Sequence, residues 1–331
     1  MAALHALLPR DRFLPLPDHG GLSSASRCCG VEIEFAGLGL EVAATVVADL
    51  WGGRIQTRDG REHHVRGGRF GAVKVELDIS LGQPWAEDIA AQVLGDLIPI
   101  EIVTAPLSQA DLPQVDALVH ALVDAGAMGT RAKLAYGFGV HLNPELPQDK
   151  GALVAVARAY ALCEDWLRAA EPLDPARRVL PFVDPWPRAL VAKLARAEGW
   201  GVADLARAYA AHAPSRHFGL DLLPALEHLC PAALEGIPAG QLKGGRPTFH
   251  YRLPETRLGE ENWSVAYEWN RWCVIEHVAA DPALLSALAK AFATEDGPLA
   301  RLRGTWSAHV SDMLRAAELF ARLGLSSGPP A

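Results

Sequence analysis

The segment Gly-Val-Glu-Ile-Glu-Phe at residues 30–35 alternates apolar with acidic side chains. As a β-strand it would place its three apolar side chains on one face and Glu32 with Glu34 on the other. Two neighbouring carboxylates repel each other, so their face needs either water or a counter-charge. The segment therefore predicts a half-buried strand with an acidic face. That face is either a solvated sheet surface or a site for a divalent cation with oxygen ligands.

The overall composition is that of a globular protein, with half of the 331 residues hydrophobic and 21% charged. The formal net charge of −8 argues against nucleic acid as a partner, because binding phosphate backbones needs a basic surface. No run of eighteen apolar residues predicts a membrane span, and the first residues lack the pattern of a signal peptide. The five cysteines form no CxxC pair. Reduced thiols and a cytoplasmic location are therefore expected.

The chain changes character near residue 146, where strand-like alternation gives way to Ala- and Leu-rich helical segments. A Pro- and Gly-containing N-terminal arm at 1–26 is expected to precede one domain at 27–325, strand-rich over 27–145 and helix-rich over 146–325. The predicted strands cover 30–35, 69–77, 98–103, 134–142 and 247–253 with a hairpin over 55–65, and the predicted helices include 40–50, 86–94, 111–125, 151–170, 188–198 and 202–211, followed by helical stretches over 261–325.

One predicted strand, at 247–253, lies inside the helical half. A lone strand leaves its backbone groups without hydrogen-bond partners, so this strand should return to the sheet formed by the first half. The pattern favours a single α+β unit over two independent domains.

Isolated polar residues occur in or at the end of several apolar strands. They are Glu32, Glu34, Asp78, Glu101, His141 and Asn143. If these strands are neighbours, the polar side chains converge on one concave sheet surface. Four carboxylates cannot share such a surface unpaired, and hard cations with an imidazole ligand would compensate them. The alternative is that each is a separate surface residue.

Five segments carry a resemblance to a known family. They are GVEIEF at 30–35, VKVELDISL at 73–81, IEIVTAPL at 100–107, GFGVHLN at 137–143 and FHYRLPET at 249–256. Their order resembles the amidoligase family, a branch of the carboxylate–amine ligases with the glutamine synthetase fold. The resemblance implies a curved, mostly antiparallel sheet whose concave face binds ATP and Mg²⁺ or Mn²⁺. It also implies ATP-dependent amide formation through an acyl phosphate.

The resemblance further implies roles for individual residues. Glu34, Asp78 and Glu101 look like one metal site, and Glu32 with His141 looks like the other. Asn143 would steady His141 or contact the nucleotide. Arg252 and Glu34 would be the catalytic residues, with Arg252 contacting the transferred phosphate, for which a guanidinium that binds oxygens in pairs is suited.

Three positions depart from the family pattern. His250 stands where the family usually has Glu; an imidazole can ligate Mn²⁺ or Zn²⁺ but is a poorer ligand for Mg²⁺. Ile79 replaces a usual Gly. In the segment 215–221, His217 and Asp221 replace Tyr and Asn. These changes leave metal preference and substrate identity open.

Three basic residues are candidates for nucleotide binding. Arg216 lies in the family-like segment, Lys243 begins a basic Gly-rich loop, and Lys74 alternates with acidic residues on the predicted second strand. The alternatives are that the loop is a solvated turn and that Lys74 pairs with Glu76.

The predicted function is an ATP- and Mg²⁺-dependent (or Mn²⁺-dependent) ligase. It would join a small-molecule or peptide carboxylate, such as an amino acid or a peptidoglycan-type precursor, to an amine. A homo-oligomer is one expectation. Two alternatives stay open: a metal-dependent hydrolase that uses the same cluster to activate water, and a degenerate binding module, which His250 in place of Glu keeps under consideration.

Overall fold

The computed structural model describes residues 7–58, 60–78, 99–132, 137–174, 183–295 and 305–325. The predicted helix at 86–94, Ile79 and the first residues of the strands predicted to begin at 98 and 134 lie outside this description.

The central strand, β1 (Cys28–Phe35), forms because its side chains alternate in burial. Cys29, Val31, Ile33 and Phe35 are fully buried on one face, whereas Glu32 and Glu34 lie half-buried on the other. A strand of this kind packs its apolar face on a core and leaves its polar face available for a site. The sequence predicts an apolar and an acidic face for this strand, and the structure confirms both.

Nine strands of the described residues form one open antiparallel sheet. The other strands are β2 (Arg54–Arg58), β3 (Glu62–Gly68), β4 (Gly71–Leu77), β5 (Ile100–Val103), β6 (Leu107–Ser108), β7 (Val140–Pro144), β8 (Leu220–Asp221) and β9 (His250–Tyr251). The strand order is β2-β3-β4-β5-β1-β7-β9-β8, with β6 paired to β1 beside this path. The predicted α+β class is confirmed.

The helices, which lie mostly in the second half of the chain, pack around the core. Those that the structure describes are α1 (Leu40–Trp51), α2 (Pro113–Asp124), α3 (Lys150–Ala170), α4 (Arg188–Ala195), α5 (Val202–His212), α6 (Leu223–Leu229), α7 (Val265–Ala279), α8 (Pro282–Glu295), α9 (Thr305–Ala316) and α10 (Leu319–Arg322). α1 contacts β3 and β4, and α3 packs along α7.

α7 is buried on nearly all sides. Trp269 and Trp272 are 0% exposed and pack in the core. Two of its buried polar side chains, Glu268 and Arg271, form an ion pair of 2.6 Å. Asn270 Nδ2 donates to the backbone oxygens of the N-terminal arm at Pro9, 2.9 Å away. Part of the predicted arm is therefore docked on the central helix.

The returning strand joins the sheet as predicted but is shorter. β9 covers two residues, with an isolated bridge between Thr248 and Glu145 extending its contact. β9 pairs with β7 on one side and β8 on the other. Two-residue strands such as β6 and β8 have no periodicity for sequence reasoning to detect, which is why the sequence did not predict them.

Within the described residues, no single helix is long and apolar enough to cross a membrane. One pair, Val265–Ala279 with Pro282–Glu295, meets the length and composition criteria jointly, but a bend of 91° separates the two helices.

Candidate metal centre

Neighbouring strands bring acidic and imidazole side chains together on the face of the sheet opposite the apolar side chains of β1. Strand register fixes the pairing: Glu34 is opposite Glu101, and Glu32 is opposite His141. β9 adds His250, whose ring lies 5.3 Å from the ring of His141. Residues more than 200 positions apart in the sequence thereby share one site.

The first group of potential ligands surrounds Glu32. His141 Nδ1 lies 2.8 Å from Glu32 Oε2, and His250 Nε2 lies 3.8 Å from the same oxygen. Asn143 Nδ2 donates to Glu32 Oε1 at 3.0 Å. Ligand atoms of Glu32, His141 and His250 lie within 4.8 Å of one another, so the three could hold one metal ion.

The second group consists of Glu34, Glu101 and His141, whose ligand atoms also lie within 4.8 Å of one another. His141 Nε2 is 3.5 Å from Glu34 Oε1. The other oxygen of Glu34 accepts a hydrogen bond of 2.6 Å from Gly139 N. This bond orients Glu34 toward the cluster.

The carboxylates respond to this crowding in opposite directions. Burial, followed by the charges of Glu32, Glu34 and Asp78, raises the pKa of Glu101 to about 10. Burial also favours the neutral form of Glu32, but the hydrogen bond from His141 and the His250 imidazole 3.8 Å away outweigh it and hold the pKa of Glu32 well below its usual range. The cluster therefore has more acidic groups than its own positive charge can compensate.

The two histidines also differ. Burial lowers the pKa of His141 to about 3, with the positive charge of Arg252 contributing further. For His250, burial favours the neutral form, but the hydrogen bond to Asp221 and the nearby Glu32 carboxylate outweigh it and raise the pKa. His141 is thus a neutral imidazole with a lone pair available for a metal, as ligation requires.

The donor set fits divalent cations. His250 is 3% exposed, and its Nε2 atom has no hydrogen-bond partner among the described residues. Asn143 Oδ1 is also buried and also has no hydrogen-bond partner there. Buried polar atoms are normally satisfied, so such atoms beside an acidic cluster indicate room for a ligand. Glu34 and Glu101 supply the oxygen donors that Mg²⁺ prefers.

Positive side chains flank the acidic cluster on two sides. Arg252 lies two residues beyond His250, and its Nη1 donates to the backbone oxygen of Arg216 at 2.5 Å. Arg216 Nε lies 3.8 Å from Asp221 Oδ2. On the other side, Lys74 of β4 forms an ion pair with Glu76. This pairing is the alternative to nucleotide binding that the sequence left open for Lys74. Lys243 is exposed in its loop.

The structure thus gathers most of the residues singled out from the sequence, and it adds one. Asp78 lies close enough to Glu101 to raise the pKa of that carboxyl. The added residue is Asp221, which is 0% exposed and lies 3.2 Å from His250 Nδ1. The only signal for Asp221 in the sequence was that it replaces the usual Asn. Its position beside His250 depends on a two-residue strand, which is too short to show a periodic pattern.

The fold and the site together define an α+β protein whose open antiparallel sheet carries a candidate metal centre on one face. A family model described as "putative amidoligase enzyme" matches residues 25–274, more than half of the chain. The chain belongs to this amidoligase family, and the resemblance found in the sequence is confirmed. The match supports a ligase-type function. No curated protein matches the chain.

Proposed function

We propose that this protein is an ATP-dependent carboxylate–amine ligase that forms an amide bond through an acyl phosphate. One observation carries the proposal within the family: Glu32, Glu34, Glu101 and two histidines converge on one sheet face, with Arg252 and Arg216 beside them. An acidic cluster next to arginines suits the binding of a cation–triphosphate complex. The cations balance the carboxylates, and the guanidinium groups contact phosphate oxygens.

The proposed reaction has two balanced steps. An oxygen of the substrate carboxylate attacks the γ-phosphorus of ATP, the bond from that phosphorus to the ADP oxygen breaks, and an acyl phosphate forms. The amine nitrogen then attacks the acyl carbon and loses a proton, phosphate leaves, and the amide remains. A divalent cation bound by Glu34, Glu101 and Asp78 would supply charge neutralisation for the phosphates.

Each side chain of the site has a separate task in this proposal. Glu34, held by Gly139 N, presents one oxygen toward the cation position. Arg252, anchored by the backbone oxygen of Arg216, is placed to stabilise charge on the transferred phosphoryl group. Lys74 and Lys243 stay candidate contacts for the nucleotide, and Asn143 steadies Glu32.

The substrates are proposed to be an amino acid or short peptide, including peptidoglycan-type peptides, as carboxylate donor and an amine as acceptor. The test does not require the amine to be known. The purified chain is incubated with Mg²⁺, ATP and pools of such carboxylates in the presence of hydroxylamine, which captures an acyl phosphate as a hydroxamate. Hydroxamate and ADP are measured in parallel.

We expect hydroxamate and ADP to appear in equal amounts with the correct carboxylate, and to disappear in Glu34→Gln and on chelation of the cations. Two outcomes would contradict the ligase. One is the absence of nucleotide binding with Mg²⁺ or Mn²⁺ present, and the other is amide or phosphoester cleavage without nucleotide, as a metal-dependent hydrolase would show.

A further inference from the structure

We propose that the group formed by Glu32, His141 and His250 is a binding site for a borderline transition-metal dication, of the class from Fe²⁺ to Zn²⁺, and not a second Mg²⁺ site. The inference deepens the proposed function, because it assigns different cations to the two halves of the same cluster.

The first step is the direction of the ring nitrogens. His141 Nδ1 and His250 Nε2 both face Glu32 Oε2, at 2.8 and 3.8 Å. Donor atoms about 2.1 Å from a common metal lie about 3.0 Å apart at a right angle and about 3.4 Å apart at a tetrahedral angle, so these separations leave room for an ion with little rearrangement. Two imidazoles and one carboxylate are a ligand set typical of zinc and non-haem iron sites.

The second step concerns the other nitrogen of each ring. His141 Nε2 lies 3.5 Å from Glu34 Oε1, and His250 Nδ1 lies 3.2 Å from Asp221 Oδ2. A metal-binding histidine usually donates its second N–H to a carboxylate, which fixes the tautomer and the ring orientation. His250 has such a carboxylate at hydrogen-bond distance, and His141 has one 3.5 Å away, so each ring has its own carboxylate beside its second nitrogen.

The third observation is an unpartnered ring nitrogen. His250 Nδ1 faces Asp221 Oδ2 at 3.2 Å, and His250 Nε2 has no hydrogen-bond partner among the described residues although the side chain is only 3% exposed. Leaving a buried polar atom unpaired destabilises the folded protein. A metal ion at this position would remove this destabilisation.

The choice of metal follows from the donor atoms. Mg²⁺ takes oxygen ligands in near-octahedral geometry and keeps several of its waters, whereas imidazole favours the softer first-row metals. Of the three metal-donor atoms in the group of Glu32, His141 and His250, two are imidazole nitrogens. The neighbouring carboxylates Glu34 and Glu101 remain the oxygen-rich half, suited to Mg²⁺.

The test measures metal binding directly on the full chain after treatment with a chelator. Zn²⁺ is added in the presence of millimolar Mg²⁺, and X-ray absorption at the zinc edge counts the imidazole ligands. We expect two imidazoles and one or more oxygens. A zinc environment with one imidazole or none would overturn the proposal, and this measurement needs no variant to fold.

Variants provide the second readout, with Co²⁺ as a coloured probe followed by its visible absorption. His250→Glu should weaken Co²⁺ binding at least tenfold and allow Mg²⁺ to compete. Asp221→Asn should weaken it about 10- to 100-fold, as loss of an orienting carboxylate does. His64→Gln is the matched control, because His64 also contacts a glutamate, Glu62, on β3 but lies outside the cluster. Equal Co²⁺ affinity in His250→Glu and the unaltered protein would overturn the proposal.

Failure of this inference and failure of the ligase are distinguishable. Carboxylate-dependent ADP formation together with an all-oxygen zinc environment would reject the transition-metal site and leave the ligase standing. A zinc site with two imidazoles in a protein that binds no ATP would reject the ligase and leave the transition-metal site standing.

Discussion

Glu34 on β1 lies directly opposite Glu101 on β5 in the antiparallel register. Glu101 is in turn opposite Glu76 of β4, and Glu76 is opposite Glu62 of β3. Four strands therefore carry a continuous row of carboxylates. Like charges at opposed cross-strand positions destabilise a sheet, so this row favours the binding of cations.

Replacement of Glu101 by Gln should stabilise the protein without cations and remove its stabilisation by Mg²⁺. Burial and the neighbouring carboxylates raise the pKa of Glu101 to about 10. A carboxyl whose pKa is raised on folding costs stability at every pH above its unfolded value, so the variant should gain about 1 kcal/mol or more at pH 7. Thermal unfolding with and without Mg²⁺ measures both effects. Glu261→Gln, in an exposed loop, is the control. A lower melting temperature in the cation-free Glu101→Gln protein would contradict the prediction.

Replacement of Arg252 by Lys should lower turnover about 100-fold or more while nucleotide binding changes little. Lysine cannot contact two phosphate oxygens as a guanidinium does, and removing one such contact from a transition state typically has this effect. The measurement is kcat and KM for ATP in the hydroxamate assay, with a change of the exposed Arg315 on α9, Arg315→Lys, as control. A raised KM with unchanged kcat would show that Arg252 contributes only to binding.

The carboxylate of Glu276 should make the fold acid-sensitive. It is buried and bonded to Arg27 Nη2 at 2.7 Å, to His19 Nε2 at 2.7 Å and to Trp272 Nε1 at 3.1 Å. Burial alone would raise the pKa of Glu276, but His19 and Arg27 outweigh it and lower the pKa. Its stabilising contribution is therefore complete above the unfolded pKa of about 4.3 and is lost as pH falls through the folded value.

This effect can be measured by urea unfolding between pH 3 and 7 of the unaltered protein and of Glu276→Gln. At pH 7 the variant should be less stable by about 3–5 kcal/mol, since Arg27 becomes a buried charge without a charged partner. The difference should narrow in acid. A difference that does not depend on pH would assign the role of Glu276 to packing.

Replacement of Gly219 by Ala should destabilise the fold and disturb the site. An added Cβ would lie 2.6 Å from the Tyr160 hydroxyl and 3.0 Å from Arg168 Nη2. Both groups are held by Glu164, so they cannot move freely, and we expect a loss of about 1–3 kcal/mol. The backbone oxygen of Gly219 also accepts the N–H of Arg252 at 2.8 Å, so turnover should fall as well.

Chemical denaturation and the hydroxamate assay check this pair of effects. Gly240→Ala is the matched control, because its added Cβ would meet nothing within 4 Å. Unchanged stability in Gly219→Ala would show that Tyr160 and Arg168 can give way after all.

Much of the fold could be predicted from local patterns. The two-residue alternation at 30–35 and 69–77 and the 3.6-residue spacing of apolar residues in the helices can both be detected in the sequence. Both periods follow from backbone geometry. The docking of the N-terminal arm could not be predicted. Its contacts join Leu14 to Asn270 and His19 to Glu276, about 250 positions apart, and no local period encodes such a pairing.

The same division applies to the site. The sequence by itself determined that Glu32 and Glu34 share a face and that the motifs are those of an amidoligase. Only the tertiary structure decided that His141 and His250 direct their nitrogens at one oxygen of Glu32, with Glu34 and Asp221 behind them. The physical reason is strand register: β9 meets β7 through one pair of residues, Leu142 and Tyr251, and a shift of one residue would turn His250 to the opposite face.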